Sequence, residues 1–322
     1  MIKKKTGYLR PNYKSNRQNK RIAAICIISL VGLTLIHAFL FSDAFSGGSL
    51  NSTNASEFGS FIGGYLGTIF AVISVLFLYL TFQDQRRTSE LEKFETRFFE
   101  LIRIHRDNVE EIALKDEPGK KVFVLLIREF RELFKIVKKI FLNQLTTQQI
   151  IEISYIAFFY GVGPNSSRLL RSSLSEYPSE NIDRLIKIMA ETKDDVKKER
   201  NFKYTPFEGH QSRLGHYYRH LYQSIKYCHT RSIDIDKYEY IKLIRAQLSN
   251  HEQALLFLNA QSRLGRPWMT PSKGEDRGML EEYRMIKNLP EQFFCSQNEF
   301  PIKKLLPNFI FDYEEQTIKT NK

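Results

Sequence analysis

The sequence predicts an all-α protein, with an N-terminal two-helix transmembrane hairpin followed by a helical cytoplasmic domain. Three observations carry this. Residues 22–41 and 58–82 hold no charged residue, and each run reaches the roughly 20 apolar residues a helix needs to cross a hydrocarbon core of about 30 Å. Through most of the remaining chain apolar residues recur at three- and four-residue spacing, the mark of helices with one buried face. The apolar/polar alternation of strands is scarce, and no repeat of fixed period is present.

Composition narrows the class. The 322 residues are 42% hydrophobic and 26% charged, which excludes a disordered chain. Three cysteines exclude a disulfide scaffold. The net charge of +12 is unevenly placed: residues 1–21, a basic cytoplasmic tail, carry eight Lys and Arg and no acid. The first span, about 22–41, has Ser29, Thr34 and His37 as its only polar side chains. A basic leader and an apolar run also describe a secretory signal, but this run exceeds the roughly 7–15 residues of such a core, and a second span follows. Domain boundaries follow: tail 1–21, hairpin 22–82, helical domain 83–322.

The loop between the spans is rich in Gly, Ser and Asn, and its only charges are Asp43 and Glu57. Arg86 and Arg87 follow the second span, about 58–82. Basic flanks on both sides of the hairpin place both termini in the cytoplasm and the loop outside, the topology of a multi-pass membrane protein. Gly59, Gly63 and Gly67, spaced by four, form a small-residue stripe that lets another helix approach closely. That helix is either the first span or a second copy of the chain. The expected partners are therefore the lipid bilayer and the protein itself as a homo-oligomer.

Beyond the spans the chain is only mildly basic and its charges alternate in sign, as on solvated helix faces. No basic block points to nucleic acid. The second span should run on as a helix whose apolar face holds Phe94, Phe98, Leu101, His105 and Val109, ending at Glu117-Pro118-Gly119. Further helices are expected over 122–142, from Thr146 or Thr147 to a stop at Gly161-Val162-Gly163-Pro164, over 181–200, 214–229 and 235–259, and briefly over 280–289. Residues 201–209 and 262–278 read as loops, the second exposed. The last thirty residues read as irregular or as a short strand.

Chemistry concentrates where five of the seven histidines fall, between positions 210 and 251. The candidate polar cluster is His210, Gln211, Arg213, His216, Tyr217, Arg219 and His220, with Arg245, Gln247, Asn250 and Glu252 further on. Three readings compete. His216 and His220 stand i, i+4 like helical zinc ligands, but the Glu of a metalloprotease helix and any Cys-x-x-Cys are missing, so no metal or cofactor is assigned. Arg213 with His220, and Arg245 with His251, have the spacing of the Arg and His of HEPN-family ribonucleases, in which Arg would hold the scissile phosphate and His would act as acid or base. With 22 Arg and seven His, two such spacings are about what chance supplies, and the polar residue that usually follows the Arg is replaced by Leu214 and Ala246. The third reading is a hydrogen-bonded network between helices that fixes their packing or forms a sensing pocket. No phosphate-binding glycine loop and no nucleophile elbow are present.

Several blocks of the chain carry a resemblance. Phe94 to Leu101 with His105, Tyr155 to Gly163, Gly209 to Tyr222, and Arg245 to Asn250 continuing through Glu252, Leu255, Leu256 and Asn259 resemble the putative phage abortive infection (AbiC-like) family of bacterial membrane proteins. The resemblance covers roughly residues 60–265 and leaves the last fifty unmatched. It implies antiviral defence in which infection triggers the protein and the host dies or stops growing before phage release. It supplies no catalytic residue. The expectation is a membrane-anchored effector whose cytoplasmic domain senses infection, with a phage component or an associated defence protein as a further partner. The alternatives are a membrane-tethered ribonuclease and a non-catalytic scaffold that recruits another effector.

Overall fold

In a computed structural model, residues 13–40, 51–115, 117–141, 144–290, 292–294 and 302–314 are described. The chain divides into two units, Met1–Ser89 and Glu90–Lys322. Helices dominate both. The strands among the described residues are β1 (Ala113–Leu114) and β2 (Glu117–Pro118), one small antiparallel pair, so the all-α class holds.

The first unit contains α1 (Tyr13–Leu40), α2 (Ser52–Phe61), a π-helical turn (Ile62–Leu66) and the first part of α3 (Gly67–Glu111). The tail up to residue 12 and the loop residues 41–50 lie outside the described residues; tail residues 13–21 belong to α1. The rest of the loop differs from expectation. Ser52 to Glu57 are helical, because Asn51 starts the helix: its Oδ1 accepts from the Thr53 and Asn54 amides at 3.2 and 3.3 Å. The π turn falls on Ile62-Gly63-Gly64-Tyr65-Leu66.

Among the described residues one helix, Ser52–Glu111, is long and apolar enough to cross a membrane by length and composition; the apolar stretch described in α1, Ile27–Ala38, is shorter. Large apolar side chains stand exposed along both, among them Leu30, Leu33 and Ile36 in α1, and Val75, Leu76 and Leu80 in α3. The hydroxyls of Thr34, Thr68, Ser74 and Thr81 each donate to the carbonyl four residues back, at 2.6–2.8 Å.

In the second unit α4 (Lys120–Ile140) is the central element. Val122, Phe123, Leu126, Ile127, Phe130, Leu133, Val137 and Ile140 keep helical spacing, and all are buried. The helix packs on α5 (Thr147–Tyr160), α7 (Ser179–Glu199) and α10 (Asn250–Ala260). A capping box opens α5: Thr146 accepts from the Gln149 amide, and Gln149 Oε1 accepts from the Thr146 amide at 2.9 Å. The last part of α3 presents Phe94, Phe98, His105 and Val109 to this core. Phe94 stacks on Tyr227 at 5.4 Å and meets Tyr240 edge-on at 5.1 Å.

Some elements depart from the sequence reading. A short helix, α6 (Ser166–Ser173), follows the expected stop at Gly161–Pro164. The single helix expected over 235–259 is two, α9 (Lys237–Arg245) and α10. Ser249 and Glu252 form a capping box that starts a new helix. Residues 262–278 are not simply an exposed loop. A 3₁₀ turn (Arg263–Gly265) and α11 (Arg266–Met269) lie within them, and Trp268 is buried. The short α12 (Met279–Glu282) covers only the start of the helix expected over 280–289. Near the C-terminus the described segment forms α13 (Ile302–Leu305), and Ile302, Phe309 and Phe311 are buried in the core.

Candidate functional site

The polar cluster is built on α8 (Gln211–His229), and the start of that helix is fixed by a backbone crossing. Gly161 (φ 71°) and Gly209 (φ 88°) both lie in the left-handed region. They pass so closely that a Cβ on either would collide with the other segment's backbone. The His210 amide donates to Phe159 O at 2.9 Å, and the Val162 amide to Phe207 O at 2.7 Å. One buried carboxylate completes the junction. Glu129, in the middle of α4, accepts from the Phe207 amide at 2.7 Å and from the Tyr204 hydroxyl at 2.8 Å, and His210 Nε2 lies 3.1 Å from its Oε2. Phe207 sits at φ 66°, an uncommon value for a residue with a Cβ, and these bonds hold it there. Burial and the adjacent Glu129 carboxylate raise the Tyr204 pKa, so the phenol stays a donor.

From this anchored start, one face of α8 and the end of α3 border an open cavity of about 730 Å³. Arg213, His216, Arg219 and His220 line it from α8, and Asn108 and Glu111 from α3. The guanidiniums are held by backbone rather than by acids: Arg213 Nε donates to Ala113 O at 3.1 Å and Arg219 Nε to Gly215 O at 3.0 Å. A terminal nitrogen of Arg219 lies 3.4 Å from His216 Nδ1. Behind the wall, the buried His105 ring stacks on His220 with centroids 6.1 Å apart and meets Tyr217 at 5.3 Å. No ring nitrogen of His105 or His220 has a hydrogen-bond partner among the described residues. Tyr217 donates to the buried Glu252 at 3.2 Å, so the carboxylate that caps α10 also ties α8 to it.

The imidazole pair is held neutral. Burial, then His220 and Lys120, pull the His105 pKa down to about 4, and burial lowers that of His220. A histidine with a depressed folded pKa stabilises the fold fully above its unfolded value of about 6.5, and that stability is lost as pH falls towards 4. The domain should therefore lose up to about 3 kcal/mol across this window from His105 alone. His105→Leu should flatten that slope and still fold, since it removes a buried group with unmet hydrogen-bonding needs. Thermal midpoints recorded from pH 7.5 to 4.5 would check this, and an unchanged slope would contradict it.

A second cavity of about 500 Å³ flanks α8 on its neighbouring face. Its wall is aromatic, with Phe159, Tyr160, Tyr218, Tyr222 and Trp268, and Gln211 and Gly215 also border it. Tyr222 meets Trp268 edge-on at 5.2 Å. Arg219 and Gln223 border both cavities.

The structure does not gather the rest of the cluster here. Arg245 is buried and donates to the carbonyls of Tyr283 (2.9 Å) and Arg284 (3.3 Å), with Tyr238 beneath its guanidinium, so it closes the turn after α12. His251 packs edge-on against Phe293 at 5.1 Å. The Arg245–His251 pair therefore lies apart from the cavity that Arg213 and His220 share. Asn250 is exposed at the first turn of α10. Gln247 accepts from Lys120 through its carbonyl at 2.9 Å and borders a third cavity with Arg103 and Arg106. Cys228 is buried, which pushes its thiol up to about 12, and the adjacent His229 bonds instead to Tyr283 at 2.9 Å. Among the described residues no three His, Cys, Asp or Glu come together as a metal set. Sequence reasoning missed Glu129, Tyr204 and Trp268. A lone Glu among the apolar positions of α4 was the available signal for the first.

The α8 cavity, the aromatic wall and the turn that Arg245 closes all draw on one continuous stretch of sequence. Residues 209–294 match the model of the putative phage abortive infection protein family. The match begins at Gly209, takes in α8 to α12, and extends past residue 265, where the resemblance read from the blocks ended. The Phe94–Leu101 and Tyr155–Gly163 blocks lie outside it. No curated protein and no solved structure matches the chain.

Proposed function

We propose that this chain is a bacterial abortive-infection effector, anchored in the inner membrane by its N-terminal apolar helices, with both termini and the helical unit on the cytoplasmic side. The observation that carries the reading is the family match over residues 209–294, which spans the helix lining the α8 cavity. The cavity serves as the sensing pocket. On triggering, spans assembled through Gly59, Gly63 and Gly67 perturb the bilayer. Exposed apolar side chains along α1 and α3, and hydroxyls bonded within their own helix, support residence in lipid, where unmet polar groups are costly. Basic residues flanking both runs support the orientation.

Cells expressing the chain should stop growing or die after infection and release few phage, so a culture survives sparse infection and collapses under saturating infection. A normal phage yield from surviving cells would contradict the reading. A second reading, a ribonuclease using Arg213 and His220, is favoured by their sharing one cavity. It requires RNA cleavage that His220→Ala abolishes.

A further inference from the structure

The two cavities beside α8 differ in chemistry and share an edge. The first has two arginines and two histidines on its wall, and among its described lining residues Glu111 is the acid that faces them. Neither Arg213 nor Arg219 pairs with a carboxylate among the described residues; each spends its Nε on a backbone carbonyl. Terminal guanidinium nitrogens left without an anion in a concave site are the donors that phosphate oxygens take, often two at a time. The second cavity is walled by aromatic rings, with Gln211, Arg219, Gln223 and Asn259 as further polar groups on its border; the Asn259 amide is spent on the Tyr155 hydroxyl at 3.1 Å and the Tyr218 hydroxyl on Leu255 O at 3.1 Å. Such a wall takes a flat, apolar, weakly polar-edged group. Arg219 and Gln223, both exposed, stand on the boundary and border each side.

We infer that the two cavities together bind a nucleotide, its base against the Tyr222 and Trp268 side and its phosphate reached by Arg219 and Arg213. Each cavity has the size of an ordinary small-ligand site, and a nucleotide is a ligand with one aromatic end and one anionic end separated by a sugar. His216 and His220 stand on the phosphate side, and Gln223 is placed to meet the sugar or the base edge. The inference deepens the sensing role proposed above and rests on it: the infection cue would be a change in a free nucleotide.

Trp268 is the single tryptophan of the chain, so emission excited beyond the tyrosine absorption band reads this site. The full chain in detergent would be titrated with AMP, ATP, inorganic phosphate and a short single-stranded RNA. A nucleotide should change Trp268 emission saturably, and Arg219→Gln should weaken that binding by about tenfold or more. Arg219 is exposed, so this variant keeps its core; Arg213→Gln provides a second loss-of-binding test, with circular dichroism confirming the fold of both. The inference is overturned if neither nucleotide binds, if the variants bind as the parent does, if inorganic phosphate binds as well as AMP, or if only the RNA binds. Binding is measured on purified protein, so its failure leaves the infection phenotype to stand or fall alone. A chain that binds nucleotide but gives no protection would sink the effector reading instead.

Discussion

Glu129→Ala should be among the most damaging single substitutions in the helical unit, lowering stability by about 3–5 kcal/mol. The carboxylate is fully buried and serves three groups: the Phe207 amide, the Tyr204 hydroxyl and His210. Removing it leaves a buried N–H and a phenol without their acceptor, and the buried His210 ring without the carboxylate beside it. Each unmet group costs about 1–3 kcal/mol, and the left-handed Phe207 loses a restraint. For a unit of this size, the thermal midpoint should fall by about 10 °C or more. The neighbouring Glu132 is the control. It pairs with Arg200 at 2.8 Å and with the exposed Lys135 at 3.0 Å, and both partners keep contact with water, so its loss should cost clearly less. Equal losses from Glu129→Ala and Glu132→Ala would show that the junction does not depend on the buried carboxylate.

The second large effect concerns function rather than folding. Replacing Gly59 and Gly63 together by Leu should abolish killing if the apolar helices act by close packing. A Cβ built at either position meets nothing within 4 Å, so the described chain has room for the larger side chains. Leucine also favours helix over glycine by about 1 kcal/mol per site. The variant should therefore accumulate in the membrane at least as well as the parent. A loss of toxicity would then report a contact made with another helix against this stripe, and retained toxicity would remove the stripe from the mechanism.

The elements that the sequence made legible are those with a strong period or cap. The apolar face of α4 and a cap at Thr146 or Thr147 were visible as spacing and as residue type, and the structure places the cap at Thr146. The break between α9 and α10 was equally present, as Ser249-Asn250-His251-Glu252. There the capping signal was outweighed by apolar spacing that continues on both sides, and Glu252 was read as a site residue rather than as a cap. The junction at Gly161 and Gly209 was invisible for another reason. Each glycine alone signals only a turn; their close approach is a contact across more than forty residues, which no local pattern encodes. The α8 part of the cluster could be read because Arg213, His216 and His220 fall on neighbouring turns of one helix. Arg245 could not be separated from it, since only the fold shows that its donors are spent on the carbonyls of Tyr283 and Arg284. The aromatic wall depends on Trp268, placed by a segment that reads as an exposed loop.

Membrane attack on phage entry, as proposed, has a direct readout. Membrane potential should be followed with a voltage-sensitive dye in cells expressing the full chain, from before infection until the time of normal lysis, beside cells carrying the Gly59→Leu, Gly63→Leu variant. Depolarisation before phage release, absent in the variant, is the expected result. Growth arrest with the potential intact in both would contradict membrane attack and move the toxic chemistry to the helical unit.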